Sequence, residues 1–204
     1  MTVPTIWSQA VHEKIVEIAR NAGLPGNISL VSELEAAALA VLRNRSTDGE
    51  PLGCGDCFVV CDAGSATVDL ISYEIKAPSP LKLEECTIGE RGLCGSNYFD
   101  QAFEKYIRTI VGEPQWRRLK SKSKHRMMRG FEGSIKRCYN GNNEHFSVDL
   151  QDVEDNSAVG IDREVIALTP AVPKTIFDHV IDKVLRLVDL QVDYIEEHGK
   201  TAKM

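Results

Sequence analysis

The chain has 204 residues, a formal net charge of −6 and 43% hydrophobic residues. This length allows a substantial core in one domain or in two subdomains. The acidic balance argues against a general nucleic-acid binder. No apolar run has the length of a membrane span, and the N-terminus lacks the apolar segment of a secretory signal, so we predict a cytoplasmic protein with no membrane partner.

The six cysteines do not form the pattern of a zinc site. Cys54 and Cys57 make a Cys-x-x-Cys pair, but the sequence has no second such pair, and a structural zinc site needs four ligands. We therefore predict reduced cysteines that pack in part as small hydrophobic side chains. A zinc or redox role for the pair is the alternative.

The first elements alternate between strand and helix. The run from Thr2 to Trp7 is apolar and contains a proline, which favours an edge strand. After Ser8, a plausible N-cap, apolar residues at helical spacing predict a helix that Gly23 ends. The next strand is predicted at 27–31. The apolar face of the helix comprises Val11, Ile15, Ile18, Ala19 and Ala22.

A second, alanine-rich helix is predicted from Ser32 to Leu42. Its start, Ser32-Glu-Leu-Glu35, has the pattern of a capping box. Glu33 falls in the first turn, where a carboxylate complements the helix dipole.

A hairpin with a turn of small residues follows a polar loop. The apolar run 58–61 predicts a strand that ends on Asp62, and Thr67 begins a β-rich returning strand that extends to residue 75. Small residues allow backbone N–H groups to approach an anion, and the Thr67 hydroxyl can donate to a phosphate oxygen. Asp62 and Asp69 are candidate carboxylates for a hydrated Mg²⁺. The alternative is a plain hairpin whose turn uses Asp and Gly for geometry.

A second glycine-rich turn precedes a helix in the middle of the chain. A strand is predicted at 81–84, and Gly92 and Gly95 lie in the turn, just before the candidate N-cap Ser96. A glycine-rich turn at a helix N-terminus binds anions readily. The apolar face of the helix comprises Phe99, Phe103, Tyr106 or Ile107, and Ile110.

The remaining chain combines a basic run with two strands and a long helix. Residues 116–137 contain nine Lys or Arg, which predicts a solvated helical face. Strands are predicted at 145–150 and 160–168, followed by an amphipathic helix over 173–197. The apolar stripe of that helix comprises Ile176, Val180, Val184, Leu187, Val188, Val192 and Ile195.

The hairpin turn resembles the second phosphate-binding loop of the clan that includes actin, hexokinase and the heat-shock protein 70 chaperones. The pattern of that clan is Asp-x-Gly-Gly-Gly-Thr-x-Asp, and Asp62, Gly64, Thr67 and Asp69 match it. Two of its glycines are replaced here. Each replacement adds a Cβ near the expected phosphate and resists a positive φ, so we expect lowered nucleotide affinity. The two replacing residues are Ser65 and Ala66.

Other segments carry the same resemblance in the same order. The segment around Glu33 is similar to Asn-Glu-Pro-Thr-Ala-Ala-Ala, whose Glu lies near the hydrolytic water and Mg²⁺. The turn with Gly92 and Gly95 resembles Gly-Gly-x-x-Phe-Asp, in a form similar to a divergent fungal-type branch. The segment 131–137 resembles the helix that flanks adenine and ribose, with the spacing between its Glu and its Lys-Arg pair one residue longer. The matching residues there are Glu132, Lys136 and Arg137.

The resemblance implies an α/β fold, the ribonuclease-H-like second lobe of an actin-like ATPase. Residues 1–78 and 167–204 would form this subdomain, and 79–166 an inserted α+β subdomain. It implies ATP or ADP and Mg²⁺ as ligands, client proteins or co-chaperones as partners, and catalytic roles for Glu33, Asp62 and Asp69. The first-lobe loop and the adenosine loop of the family are missing from this sequence. We therefore expect weak ATP binding, little hydrolysis, and self-association through uncovered apolar surface.

Three alternative functions remain at this stage. The first alternative is a non-enzymatic interaction module that kept the fold. The second is a small-molecule kinase of the same clan. The third is an RNA-binding protein that uses residues 117–137. No sugar-site motif supports the kinase, and the aromatic residues of a nucleic-acid platform do not alternate with the basic ones.

Overall fold

A computed structural model describes residues 1–4, 7–44, 52–142 and 144–203. The protein is of the mixed α/β class, with helices and several sheets, and this class agrees with the prediction from the sequence. Contacts divide the chain into two compact units, Met1–Gly92 with Leu185–Met204, and Leu93–Val184. Each boundary lies further along the chain than the predicted subdomain boundaries, after residues 78 and 166.

The first unit begins with a parallel strand pair joined by a helix. β1 (Thr2–Val3) pairs with β2 (Val31–Ser32), and α1 (Gln9–Asn21) connects them. The strand predicted at 27–31 is wrong except for its last residue, because β1 begins at Thr2, which pairs with Val31, and no strand residue lies opposite 27–30. The end of α1 is as predicted, with Gly23 at φ +89° just beyond it.

The second helix is anchored at its N-terminus and on its inner face. α2 (Glu33–Asn44) begins directly after β2, and the backbone N–H of Glu35 donates to Ser32 Oγ at 3.0 Å. This is one half of the predicted capping box. The inner side chains Leu34 and Ala38 are buried against the central sheet.

The central sheet has four antiparallel strands: β3 (Cys57–Ala63), β4 (Val68–Pro78), β5 (Leu81–Glu85) and β6 (Glu90–Gly92). The long strand β4 pairs with the other three. Because side chains alternate along a strand, one face of β4 carries Ile71 and Tyr73, which pack against α2. The opposite face carries Leu70 and Ser72, which are also buried.

The second unit combines a helical run with a small sheet. Its helical run comprises α3 (Asn97–Val111), α4 (Glu113–Arg118), α5 (Ser121–Gly130) and a π-helix (Phe131–Lys136), and a short 3-10 helix (Ser157–Val159) lies further along the chain. Its antiparallel strands are β7 (Phe146–Asp149), β8 (Ile161–Asp162) and β9 (Val165–Leu168), with β9 in the middle. The core centres on Phe103 and Phe131, whose rings stack with centroids 4.1 Å apart.

Two sequence expectations for this unit are wrong. The single strand predicted at 160–168 is a hairpin of β8 and β9, because residues 163 and 164 reverse the chain direction. Ser96 precedes α3, but it has helical φ and ψ and its side chain makes no capping hydrogen bond.

The tight turn between β8 and β9 offers a stabilising substitution. Arg163 and Glu164 form a two-residue hairpin loop and have φ values of +48° and +57°, which asparagine or glycine adopts more easily. We expect Arg163→Asn to raise the free energy of unfolding by about 0.5–1 kcal/mol. Urea denaturation measures the free energy of unfolding. The control is Arg129→Asn on the exposed side of α5, which should not raise it. An unchanged or lowered stability of the turn variant contradicts the prediction.

The last helix, α6 (Ala171–Glu197), agrees with the long amphipathic helix predicted. Its residues 171–184 belong to the second unit and 185–197 to the first. Within the described ranges, no helix combines the length and apolar character needed to cross a membrane.

Candidate functional site

The predicted phosphate-binding turn is the four-residue connection from β3 to β4. It comprises residues 64–67, between the paired Ala63 and Val68. Gly64 N–H donates to the Thr67 carbonyl at 3.0 Å, and a Cβ at Gly64 would lie only 3.2 Å from that oxygen. Glycine is therefore favoured here by the close approach of backbone. In the described structure, the N–H groups of Ser65 and Ala66 donate to no backbone carbonyl.

Neither Ser65 nor Ala66 has a positive φ. Among the described residues, the non-glycine positions with positive φ are Asp152, Arg163 and Glu164. A four-residue hairpin connection is commonly built around a type I turn, which needs no left-handed backbone at its centre. The two replacements are exposed and compatible with the turn as it folds.

Three charged side chains form a row across the sheet next to this turn. Asp62 of β3 lies opposite Asp69 of β4, and Asp69 lies opposite Arg91 of β6. Directly opposed residues point to the same face of a sheet, so the row is acid, acid, base. Gly92 of the second glycine-rich turn lies opposite Val68 and belongs to the same end of the sheet.

Arg91 holds the carboxylate of Asp69 at both oxygens. Its Nε donates to Oδ1, and its Nη2 donates to Oδ2 at 3.0 Å. The Thr67 hydroxyl also donates to Oδ2, at 3.1 Å. This pair is partly shielded, with side-chain exposures of 29% for Arg91 and 15% for Asp69, so water weakens it less than it would on an open surface.

Glu33 lies close to this row. It begins α2, which packs on the sheet face that carries Asp62 and Asp69. The pKa of the Arg91 guanidinium is raised, first by its hydrogen bond to Asp69 and further by the negative charges of Asp69 and Glu33. The three predicted catalytic carboxylates, Glu33, Asp62 and Asp69, therefore lie on one face of the first unit.

The arrangement of these carboxylates does not fit the Mg²⁺ site predicted at Asp62 and Asp69. Mg²⁺ requires near-octahedral oxygen ligands at about 2.1 Å. Both oxygens of Asp69 are already used by Arg91, and a metal ion there would lie next to a guanidinium of like charge. Across the described part of the chain, no three His, Cys, Asp or Glu side chains are placed to hold a metal ion together.

Sequence reasoning missed Arg91. Its partner lies 22 residues away, and the two meet only because β4 and β6 pair in this register. The local signal was limited to one arginine within a glycine-rich segment.

The other predicted ligand residues belong to the second unit. Gly95 is buried and lies two residues before α3. The Nζ of Lys136 donates to both carboxylate oxygens of Asp100, at 2.9 and 2.8 Å, whereas Glu132 and Arg137 are exposed. Glu132 and Lys136 both lie in the π-helix Phe131–Lys136.

Part of the basic run is held in contacts with other side chains. Arg117 pairs with Glu113, and Arg126 pairs with Asp149. Lys124 lies 4.5 Å from the centre of the buried Trp116 ring. The run's aromatic residues, Trp116 and Phe131, are both buried, so it offers no exposed ring for base stacking.

The two thiols of the Cys-x-x-Cys pair differ in exposure, because Cys54 is exposed and Cys57 is buried. Cys54 Sγ donates to the Lys76 carbonyl at 3.2 Å, and Cys57 is fully buried. Burial, together with the neighbouring Cys57 thiol, raises the pKa of Cys86 to about 11. A thiol with so high a pKa is a poor nucleophile at neutral pH.

Comparisons of the chain with protein-family models and with curated proteins gave no match.

Proposed function

We propose that this chain is a nucleotide-binding lobe similar to those of heat-shock protein 70-like ATPases, with weak ATP binding and little hydrolysis. In this proposal the first unit is of the ribonuclease-H-like type and receives the phosphates at the turn of residues 64–67. The observation that carries it is one local arrangement: two unused N–H groups in a tight turn, next to Thr67 and Arg91. Such N–H groups and an arginine are typical ligands of phosphate oxygens.

Little hydrolysis follows from the charges beside the turn. Phosphoryl transfer depends on positioned groups that converge on the transferred phosphate and stabilise its charge. Asp69 is neutralised by Arg91, and Glu33 and Asp62 are exposed carboxylates without a bound partner among the described residues. These residues are therefore better suited to bind a phosphate than to catalyse phosphoryl transfer.

Calorimetric titration of the whole chain with ATP, tripolyphosphate and adenosine tests the proposal. We expect ATP and tripolyphosphate to compete for one site, and adenosine to bind more weakly than either. Absence of any heat and of any thermal shift at millimolar ATP refutes nucleotide binding.

Restoring glycine in the turn tests whether it faces a phosphate. We expect Ser65→Gly with Ala66→Gly to raise ATP affinity about threefold to tenfold, because two Cβ atoms leave the approach to the N–H groups. The free energy of unfolding should fall by about 1 kcal/mol, since glycine enlarges the freedom of the unfolded chain.

Ala167→Gly, at an exposed position of β9, is the matched control: it loses stability without a change in affinity. An unchanged ATP affinity of the turn variant shows that the turn is only structural.

A non-enzymatic interaction module is the second candidate, and exposed apolar side chains favour it. In the first unit they include Ile18 at 51%, Val41 at 59% and Ile88 at 75% exposure. Large apolar side chains exposed to water are candidates for contact with a partner. Client proteins, co-chaperones or a second copy of the chain are the proposed partners. Sedimentation of the chain with and without ATP distinguishes the two candidates. Association that does not depend on ATP favours the interaction module.

A further inference from the structure

We propose that Arg91 takes the place of a divalent metal ion beside the hairpin turn, so that polyphosphate binds there without Mg²⁺. This inference rests on the proposed function and concerns how the same site balances charge. It starts from the finding that the row of Asp62, Asp69 and Arg91 already contains its own cation.

The guanidinium group has donors left for a phosphate. Arginine carries five N–H donors in a planar fork. The bonds from Nε and Nη2 to Asp69 use two of them, and within the described residues no acceptor is bound to Nη1. One edge of the fork is therefore fixed on a carboxylate while Nη1 is available, and Arg91 is 29% exposed. The two N–H groups of Nη1 and the second N–H of Nη2 form the remaining edge, which can donate to phosphate oxygens.

Asp69 acts here as a positioning residue. Its two oxygens fix the plane of the guanidinium, and Thr67 Oγ1 fixes Asp69 in turn. A preorganised arginine loses less conformational entropy when a ligand binds. The same contacts occupy the carboxylate oxygens of Asp69, which Mg²⁺ would otherwise use as ligands.

The N–H groups of the turn complete the site. Thr67 links the turn directly to the Asp69–Arg91 pair. Ser65 and Ala66 present backbone N–H groups without a backbone acceptor in the described structure. A phosphate at this end of the sheet would meet fixed dipoles from the turn and the free edge of the Arg91 guanidinium, whose other edge is bound to Asp69.

The experiment is a calorimetric titration of the whole chain with tripolyphosphate and with ATP, in excess EDTA and in excess Mg²⁺. We expect both ligands to bind in EDTA at least as tightly as in Mg²⁺. Arg91→Met should weaken binding in EDTA about tenfold, and Arg91→Lys should weaken it less, because lysine keeps the charge and loses the fork. Arg43→Ala, an exposed arginine of α2, is the matched control and should leave binding unchanged.

A double variant tests the inference even if Arg91→Met does not fold. If Arg91→Met leaves Asp69 unpaired and the protein does not fold, the double variant Asp69→Asn with Arg91→Met removes both charges and should show the same loss of binding. Binding by the wild-type chain only in Mg²⁺, or unchanged binding by the Arg91 variants in EDTA, overturns this inference and leaves the proposed function intact. Absence of binding under both conditions overturns the two together.

Discussion

Replacing Phe131 by alanine is expected to lower the free energy of unfolding of the second unit by about 4 kcal/mol. Phe131 has no exposed surface, and its ring stacks on Phe103 at an interplanar angle of 6°. The substitution removes buried apolar area and leaves a cavity that the surrounding core cannot fill completely. Urea denaturation followed by the fluorescence of Trp116 measures the loss, since Trp116 belongs to the same core.

Phe131→Leu is the matched control. It keeps most of the apolar volume and should cost about 1–1.5 kcal/mol. Trp7 is exposed, so its emission should change little on unfolding and should not obscure the signal. A loss below about 1.5 kcal/mol for Phe131→Ala means that the core repacks around this position and contradicts the prediction.

Replacing Gln191 by leucine is expected to destabilise the first unit by about 3 kcal/mol. Gln191 is 2% exposed and lies in the C-terminal part of α6. Its Oε1 accepts hydrogen bonds from the hydroxyls of Ser72 and Thr87, and its Nε2 donates to the Ile88 carbonyl at 2.9 Å. Leucine fits the space but leaves the hydroxyls of Ser72 and Thr87 without their acceptor and the Ile88 carbonyl without this donor, which costs desolvation free energy. Thr87 Oγ1 still accepts from the Ser72 N–H.

Ser72→Ala separates the network from simple packing. It should cost about 1 kcal/mol, because Thr87 still bonds to Gln191 after the serine hydroxyl is gone. Since Ser72 and Gln191 share one network, the double variant should lose less than the sum of the single losses. Chemical denaturation followed by circular dichroism measures all three. Strict additivity contradicts a shared network.

Most of the local structure was predictable from the sequence. The helix ends at Ser8 and Gly23, the stripe of α3 and the amphipathic α6 follow from contacts within three or four residues, which a sequence pattern records directly. The hairpin at residues 58–75 was predictable for the same reason, because short turns of small residues join adjacent strands. Gln191 was missed since it occupies the buried stripe of α6 with a polar side chain, and a pattern of apolar residues passes over it.

The candidate site was likewise predictable only where its residues are close along the chain. The sequence determined by itself that Asp62, Gly64, Thr67 and Asp69 lie around one turn, because they are close along the chain. Only the tertiary structure decided what Asp69 does, because the register between β4 and β6 brings Arg91 onto its carboxylate. Strand register is set by the packing of whole faces, so no local pattern encodes it. That one non-local contact changes the expected metal ligand into an ion pair.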